Sequence, residues 1–206
     1  MVASQKIAVL GGGTFGTAIA NMIATNGRNV VLWMRDEENV ERCRQTRENH
    51  LYLPGYQLHQ NLQVSSDLHG SLEGAEVIFF SVPSSAFRAL AKDARQYIAP
   101  QAMVISTAKG IEANTFKLMS EILEEELPEA RVGVISGPNL AKEIVNRAIT
   151  ATVIASDDER LCKEVQVLLG SSYFRVYANR DRFGVELAGA LKNIYGIAAG
   201  MGAAMK

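Results

Sequence analysis

Cysteine is scarce: the chain holds two in 206 residues, Cys43 and Cys162. Neither has the spacing of a metal-ligand set or a CxxC pair, so both read as reduced thiols in a cytosolic protein. An excess of one charge is also missing. Lys and Arg total 21 against 22 Asp and Glu, a net charge of −1. That leaves no electrostatic footprint for nucleic acid and no basic run for an anionic membrane surface. Long uninterrupted apolar runs are lacking too. Only Lys6 precedes a short apolar strand that runs into glycines, which is too little for a secretory signal. The stretch Phe183 to Met205 is broken by Glu186, Lys192 and Asn193 and crowded with glycine and alanine. A membrane span is therefore not expected. Internal repeats and low-complexity linkers are absent, and a cytoplasmic location is expected.

What remains is ordinary globular material, 48% hydrophobic and 21% charged. The length suits one large domain, or one domain and the start of a second. Lys6 to Leu10 reads as a strand ending at Gly11-Gly12-Gly13. Ala18, Ile19, Met22 and Ile23 follow at helical spacing up to Asn26-Gly27, and Asn29 to Met34 is again a strand. Asp36 can cap the polar segment that runs through Gln45. Further strands are expected at Glu76 to Ser81, Ala102 to Ser106, Val132 to Ser136, Thr150 to Ala155 and Tyr173 to Tyr177. Helices are expected at Ser84 to Ile98, Thr115 to Leu127 and Asp158 to Leu169. Continuous apolar strands separated by amphipathic helices predict a mostly parallel, doubly wound α/β sheet of Rossmann type with both faces covered. From Arg182 a different helix begins, with Leu187, Leu191, Ile194, Ala198 and Met201 on one face and small residues around much of the rest. It runs to Lys206 without cap or turn chemistry. Residues 1–181 are thus read as the nucleotide-binding domain, and 182–206 as the first helix of a truncated all-α domain.

Three constellations carry chemistry. Gly11-x-Gly13-x-x-Gly16 follows a strand and opens a helix. The first glycine permits the turn, the second lets a pyrophosphate approach, and the third packs helix on strand. The motif alone is a weak signal, and its strand-turn-helix-strand context strengthens it. At the end of the second strand, Arg35 suits a ribose 2′-phosphate, which favours NADPH. A solvated surface charge is the alternative, and Asp36 keeps NADH open. Lys109, in Ser106-Thr107-Ala108-Lys109-Gly110, sits at a strand's carboxyl end, where open parallel sheets bind ligands. Ser136-Gly137-Pro138-Asn139-Leu140-Ala141 repeats a glycine followed by a helix start, either an anion-binding turn or a plain connection. Lys192-Asn193 lies within the small-residue helix. Glycine and alanine on nearly every side predict a tightly enclosed helix, in which a buried lysine has a depressed pKa and can exchange a proton with a substrate. The alternatives are that Lys192 snorkels to solvent or bridges to Glu186.

These motifs recur together. The order IAVLGGGTFGTAIA, VVLWMRD, NHLYLPG, SVPSSAFR, STAKGIE, ISGPNLAKEI and FRVYANRDRFGVELAGALKNIYGIAAGM resembles bacterial-type NAD(P)-dependent glycerol-3-phosphate dehydrogenase over essentially the whole chain. The resemblance implies that Thr14, Phe15, Arg35 and Lys109 border NADPH (or NADH), with Ala141 also touching it. It implies that Lys109, Gly137 and Asn139 contact glycerol phosphate, and it matches Lys192 to the catalytic lysine with Asn193 beside it. The implied reaction interconverts dihydroxyacetone phosphate and sn-glycerol 3-phosphate and supplies phospholipid synthesis. A homodimer is compatible with the sequence. Two positions depart from the family: Phe15 where Trp or Tyr is common, and Asn139 where Ser or Thr is common. The family's aspartate and arginine-asparagine pair for the substrate phosphate have no counterpart in these residues. A dehydrogenase acting on a hydroxy acid or ketopantoate, or a nucleotide-binding module without catalysis, are the competing readings.

Overall fold

The computed structural model describes residues 5–205. Met1 to Ser4, and the chain end at Lys206 noted above, lie outside the described residues. Sixteen strands and helices alternate. β1 (Lys6–Leu10), α1 (Thr14–Thr25) and β2 (Val30–Trp33) form the first unit, and α2 (Glu37–Thr46), β3 (Leu62–Ser65) and α3 (Leu68–Leu72) follow. Next come β4 (Ala75–Phe80), α4 (Ser84–Ala94), β5 (Met103–Ser106), α5 (Met119–Glu126) and β6 (Arg131–Ser136). The chain continues through α6 (Ala141–Val145), β7 (Thr150–Ala155), α7 (Glu159–Leu169), β8 (Phe174–Asn179) and α8 (Arg182–Ala204).

The eight strands form one sheet in the order β3-β2-β1-β4-β5-β6-β7-β8. All neighbours pair in parallel except β6 and β7, which are antiparallel with Ser136 opposite Val153. Strand order reverses between β1 and β4, so the loops after these strands diverge and leave a crevice at the sheet's carboxyl edge. This is the expected mostly parallel Rossmann-type architecture.

Period-two alternation divides each central strand between two cores. Ile7, Val9, Val77 and Phe79 face the layer with α1 and α7, whereas Ala8, Leu10, Ile78 and Phe80 face the layer with α4 and α5. Phe79 and Phe80 are fully buried on opposite faces. Each contributes about 1.5–3 kcal/mol relative to exposure, so β4 pins both helical layers at once. Lys6, at the rim, donates to the carbonyls of Gly70 and Glu73 at 2.8 and 2.7 Å, which closes the end of α3.

Several boundaries move from those expected. The segment after Ser84 is α-helical only to Ala94 and tightens into a 3-10 turn at Arg95–Tyr97. Thr115 to Leu118 is not helix, because Phe116 takes a positive φ of 58° and Ile111 bridges back to Leu118 before α5 begins. The strands at Glu76 and Tyr173 shift to Ala75–Phe80 and Phe174–Asn179. β3 and α3 have no counterpart among the elements expected from the sequence. Leu62–Ser65 alternates over only four residues, and α3 starts from the Asp67 side chain accepting the Gly70 amide at 3.1 Å.

Candidate active site

The turn between β1 and α1 is shaped by what cannot fit there. Gly11 has φ +118°, a region L side chains avoid, and a Cβ on Gly16 would overlap the carbonyl oxygen of Gly11. Space above Gly13 is open. The first-turn amides of α1 have no carbonyl one turn back to bond, and no side chain caps them, so they are free to meet an anion. A polar buttress holds the turn from behind. Fully buried Asn49 donates to the Gly12 carbonyl at 2.8 Å and to the Thr17 hydroxyl at 2.9 Å. Asn39 in turn donates to Asn49 at 3.2 Å. Asn49 carries no signature readable from sequence, since a lone asparagine in a loop looks like turn chemistry.

Beyond β2, Arg35 is exposed. Asp36 accepts the Asn39 amide at 3.1 Å and so serves as the N-cap of α2. The acidic group that could have received a ribose hydroxyl is therefore engaged by its own helix, while the guanidinium faces solvent beside the crevice's β2 side.

The ends of β4, β5 and β6 complete the crevice. Ser81 and Thr107 share a hydrogen bond of 2.6 Å across the β4–β5 ends. Lys109 Nζ donates to the Gly137 carbonyl at 3.1 Å. A cleft of about 360 Å³ joins the two halves, and Thr14, Phe15, Lys109, Gly137, Asn139 and Ala141 all line it. Six residues expected at the site from sequence thus meet in one cavity. A second cleft, of about 390 Å³, opens between α1 and the loop at residues 55–59 and is lined by none of them.

Asn139 is oriented by hydrogen-bond direction. The Ser136 carbonyl can only accept, so the Thr152 hydroxyl donates to it at 3.1 Å. Thr152 Oγ1 then accepts from Asn139 Nδ2 at 2.7 Å. Asn139 Oδ1 is left buried without a partner, an unmet acceptor at the cleft wall. A ligand group that reaches it must donate a hydrogen.

The expectation that Lys192 is buried in a tightly enclosed helix is overturned. Lys192 and Asn193 are exposed, and so are Ile194 at 61%, Tyr195 at 70% and Met201 at 62%, because no described element packs over this part of α8. The bridge to Glu186 is also absent. Glu186 is buried and bonded to Ser120 on α5. Lys192 does come close to Lys109, which lines the cleft. Burial pushes the Lys109 pKa down, and the nearby like charge of Lys192 lowers it further. The lysines from β5's end and from α8 therefore converge. Among the described residues no group of three or more His, Cys, Asp or Glu is placed to hold a metal ion. No described helix is long and apolar enough to cross a membrane.

An open helix N-terminus above a glycine turn, beside a cleft lined by Lys109, suits a dinucleotide. Residues 6–162 match the family model described as NAD-dependent glycerol-3-phosphate dehydrogenase N-terminus. The chain is 57% identical to glycerol-3-phosphate dehydrogenase (NAD(P)+) of Ectopseudomonas mendocina, and 54% identical to that of Teredinibacter turnerae. In each case all of this chain aligns with 60% of the relative. A crystal structure of glycerol-3-phosphate dehydrogenase from Coxiella burnetii superposes with a TM-score of 0.90 at 36% identity, over 96% of this chain and 60% of that one.

Proposed function

The chain belongs to the NAD-dependent glycerol-3-phosphate dehydrogenase family, and from that premise we propose that it forms the cofactor-binding part of an enzyme that interconverts dihydroxyacetone phosphate and sn-glycerol 3-phosphate. The observation that carries this reading is the cleft that brings Lys109, Gly137 and Asn139 together with Thr14 and Phe15 of the glycine turn, with the charge of Lys192 acting on Lys109 from α8. Residues 1–181 serve as the nucleotide-binding domain and 182–206 open a helical substrate domain. The product supplies phospholipid synthesis, in a cytoplasmic enzyme that works as a homodimer.

When bound, NAD(P)H supplies the hydride that reduces the C2 carbonyl. The chain's own residues do the rest. The α1 amides, with Gly11, Gly13, Thr14, Phe15 and Gly16 around them, receive the pyrophosphate. Arg35 pairs with a 2′-phosphate, and the engagement of Asp36 as a helix cap supports NADPH over NADH. Ala141 borders the cofactor. Lys109 keeps N–H groups available beyond its bond to Gly137 and holds the substrate with Asn139. Lys192, with Asn193 beside it, gives its proton to the C2 oxygen as negative charge develops there and recovers it in the reverse direction. Two ammonium groups this close repel one another until an anion lies between them, so they favour a phosphorylated substrate over an uncharged one.

The test is NADPH oxidation by the intact protein with dihydroxyacetone phosphate, ketopantoate and a 3-oxo acid compared. Turnover specific to dihydroxyacetone phosphate supports the reading. Preference for one of the acids, or cofactor binding with no turnover on any substrate, overturns it.

A further inference from the structure

Glu186 is 5% exposed, although it lies on a helix whose later turns are open to solvent. Its Oε1 accepts the Ser120 backbone amide at 3.0 Å and its Oε2 accepts the Ser120 hydroxyl. Ser120 stands in the first turn of α5, where amides lack intrahelical acceptors and where Leu118 offers no capping oxygen. A carboxylate on α8 thus satisfies the N-terminus of α5, a favourable end for negative charge. One turn earlier, Arg182 pairs with Glu124 of the same helix.

The next turns of α8 follow the same face. Gly189 lies against the Ser136 hydroxyl at the end of β6, so closely that a Cβ would overlap it. Lys192 then meets Lys109 at the end of β5. Steps of three residues make 186, 189 and 192 successive neighbours along one winding stripe of the helix. Beyond Leu191 the helix is exposed, so among the described residues nothing further along it fixes its rotation. Each residue of an α-helix adds about 100° of turn and 1.5 Å of rise, so a slip of one position would turn Lys192 away from Lys109.

We propose that Glu186 is a positioning residue whose lock on the N-terminus of α5 sets the rotation and slide of α8, so that Lys192 stands beside Lys109. The proposal rests on the reading of the site given above, but its primary test does not need turnover. Lysines of the intact protein are labelled by reductive ¹³C-methylation, and the Lys109 resonance, assigned with K109R, is titrated by NMR. K192M removes the neighbouring charge and calibrates the effect by raising the Lys109 pKa toward the ordinary lysine value of about 10.4. E186A should raise it in the same direction. E186Q should leave it low, because its amide oxygen can accept the Ser120 amide and its NH₂ can donate to the Ser120 hydroxyl. S120A, which deletes only the hydroxyl, should give a smaller rise and serves if E186A does not fold. An unchanged Lys109 titration in folded E186A, or in S120A when E186A fails to fold, overturns the proposal.

Turnover separates this lock from the catalytic reading. E186A should lower kcat by up to about 100-fold, as misplacement of a reacting group does, with KM for NADPH little changed and E186Q close to the parent. A Lys109 shift with kcat unchanged would uphold the lock and remove Lys192 from the chemistry. A fall in kcat without the Lys109 shift would overturn the lock.

Discussion

The ammonium of Lys109 donates to the carbonyl oxygen of Gly137 at 3.1 Å, which ties the end of β5 to the end of β6. Lys192 faces the same ammonium from α8, and its charge helps hold Lys109 below the usual lysine pKa. Residues 83 positions apart in sequence are thus brought to one point, and the chemistry of the site is expected to fail selectively when either is removed.

K192A in the intact protein should lower kcat about 10²- to 10⁴-fold, the range for loss of a general acid. NADPH affinity, measured by nucleotide fluorescence, should stay near that of the parent. Loss of cofactor binding instead would place Lys192 in cofactor retention.

R35D should weaken NADPH relative to NADH by roughly 10- to 100-fold, the worth of a charge-assisted hydrogen bond at about 1.5–3 kcal/mol. Dissociation constants for both nucleotides give the ratio. An unaltered ratio would show that Arg35 does not read the 2′-phosphate.

T152V removes the acceptor that holds Asn139 Nδ2, as well as the donor to the Ser136 carbonyl. Leaving such buried groups unpaired should cost about 1–3 kcal/mol in urea unfolding and raise KM for the substrate. T152S should recover most of both. Equal behaviour of the two variants would mean that the hydroxyl does not orient Asn139.

Acid should loosen the fold through Asp158. This residue caps α7 and pairs with Arg131, and its carboxyl is held down at about 2, first by the hydrogen bond with Arg131. Its folded pKa lies below the unfolded one, so its stabilisation is full above about 3.9 and is lost as pH falls toward 2. Glu112, bonded to Arg88 and Thr115 and also held at about 2, acts in the same window. Burial raises Glu186, so its contribution has the opposite sign and declines as pH climbs past the ordinary glutamate value. Urea midpoints between pH 5 and 2.5 should fall less steeply in D158N than in the parent. Parallel curves would discount the Asp158 pairing.

The sheet was legible because its strands are apolar runs, and both the glycine turn and Lys109 follow directly from their carboxyl ends. β3 and α3 escaped because four alternating residues and a single Asp cap carry little periodic signal. The direction of β7 could not be read either, since an apolar run of six residues looks alike in both senses. For Lys192 the burial read from the sequence does not hold among the described residues. Small residues along α8 suggested enclosure, yet among the described residues only the stripe with Glu186 and Gly189 is closely packed, and Lys192 reaches the site from an exposed turn. The roles of Asn49, Thr152 and Glu186 depend on partners 32, 16 and 66 positions away, which no local pattern encodes.

The single inverted strand also decides where the chain travels last. Each parallel strand leaves the sheet at the ligand edge, and its helix returns toward the opposite rim. Because β7 runs the other way and β8 copies it, the chain exits β8 at that opposite rim, with Asn179 level with Ala155. The helix that follows must then climb toward the ligand edge, past Glu124, Ser120 and Ser136 in turn, before it presents Lys192. With β7 in the common sense, the same helix would descend and carry its lysine away from the crevice. One change of heading at Thr150 thus gives α8 its bearing on the site.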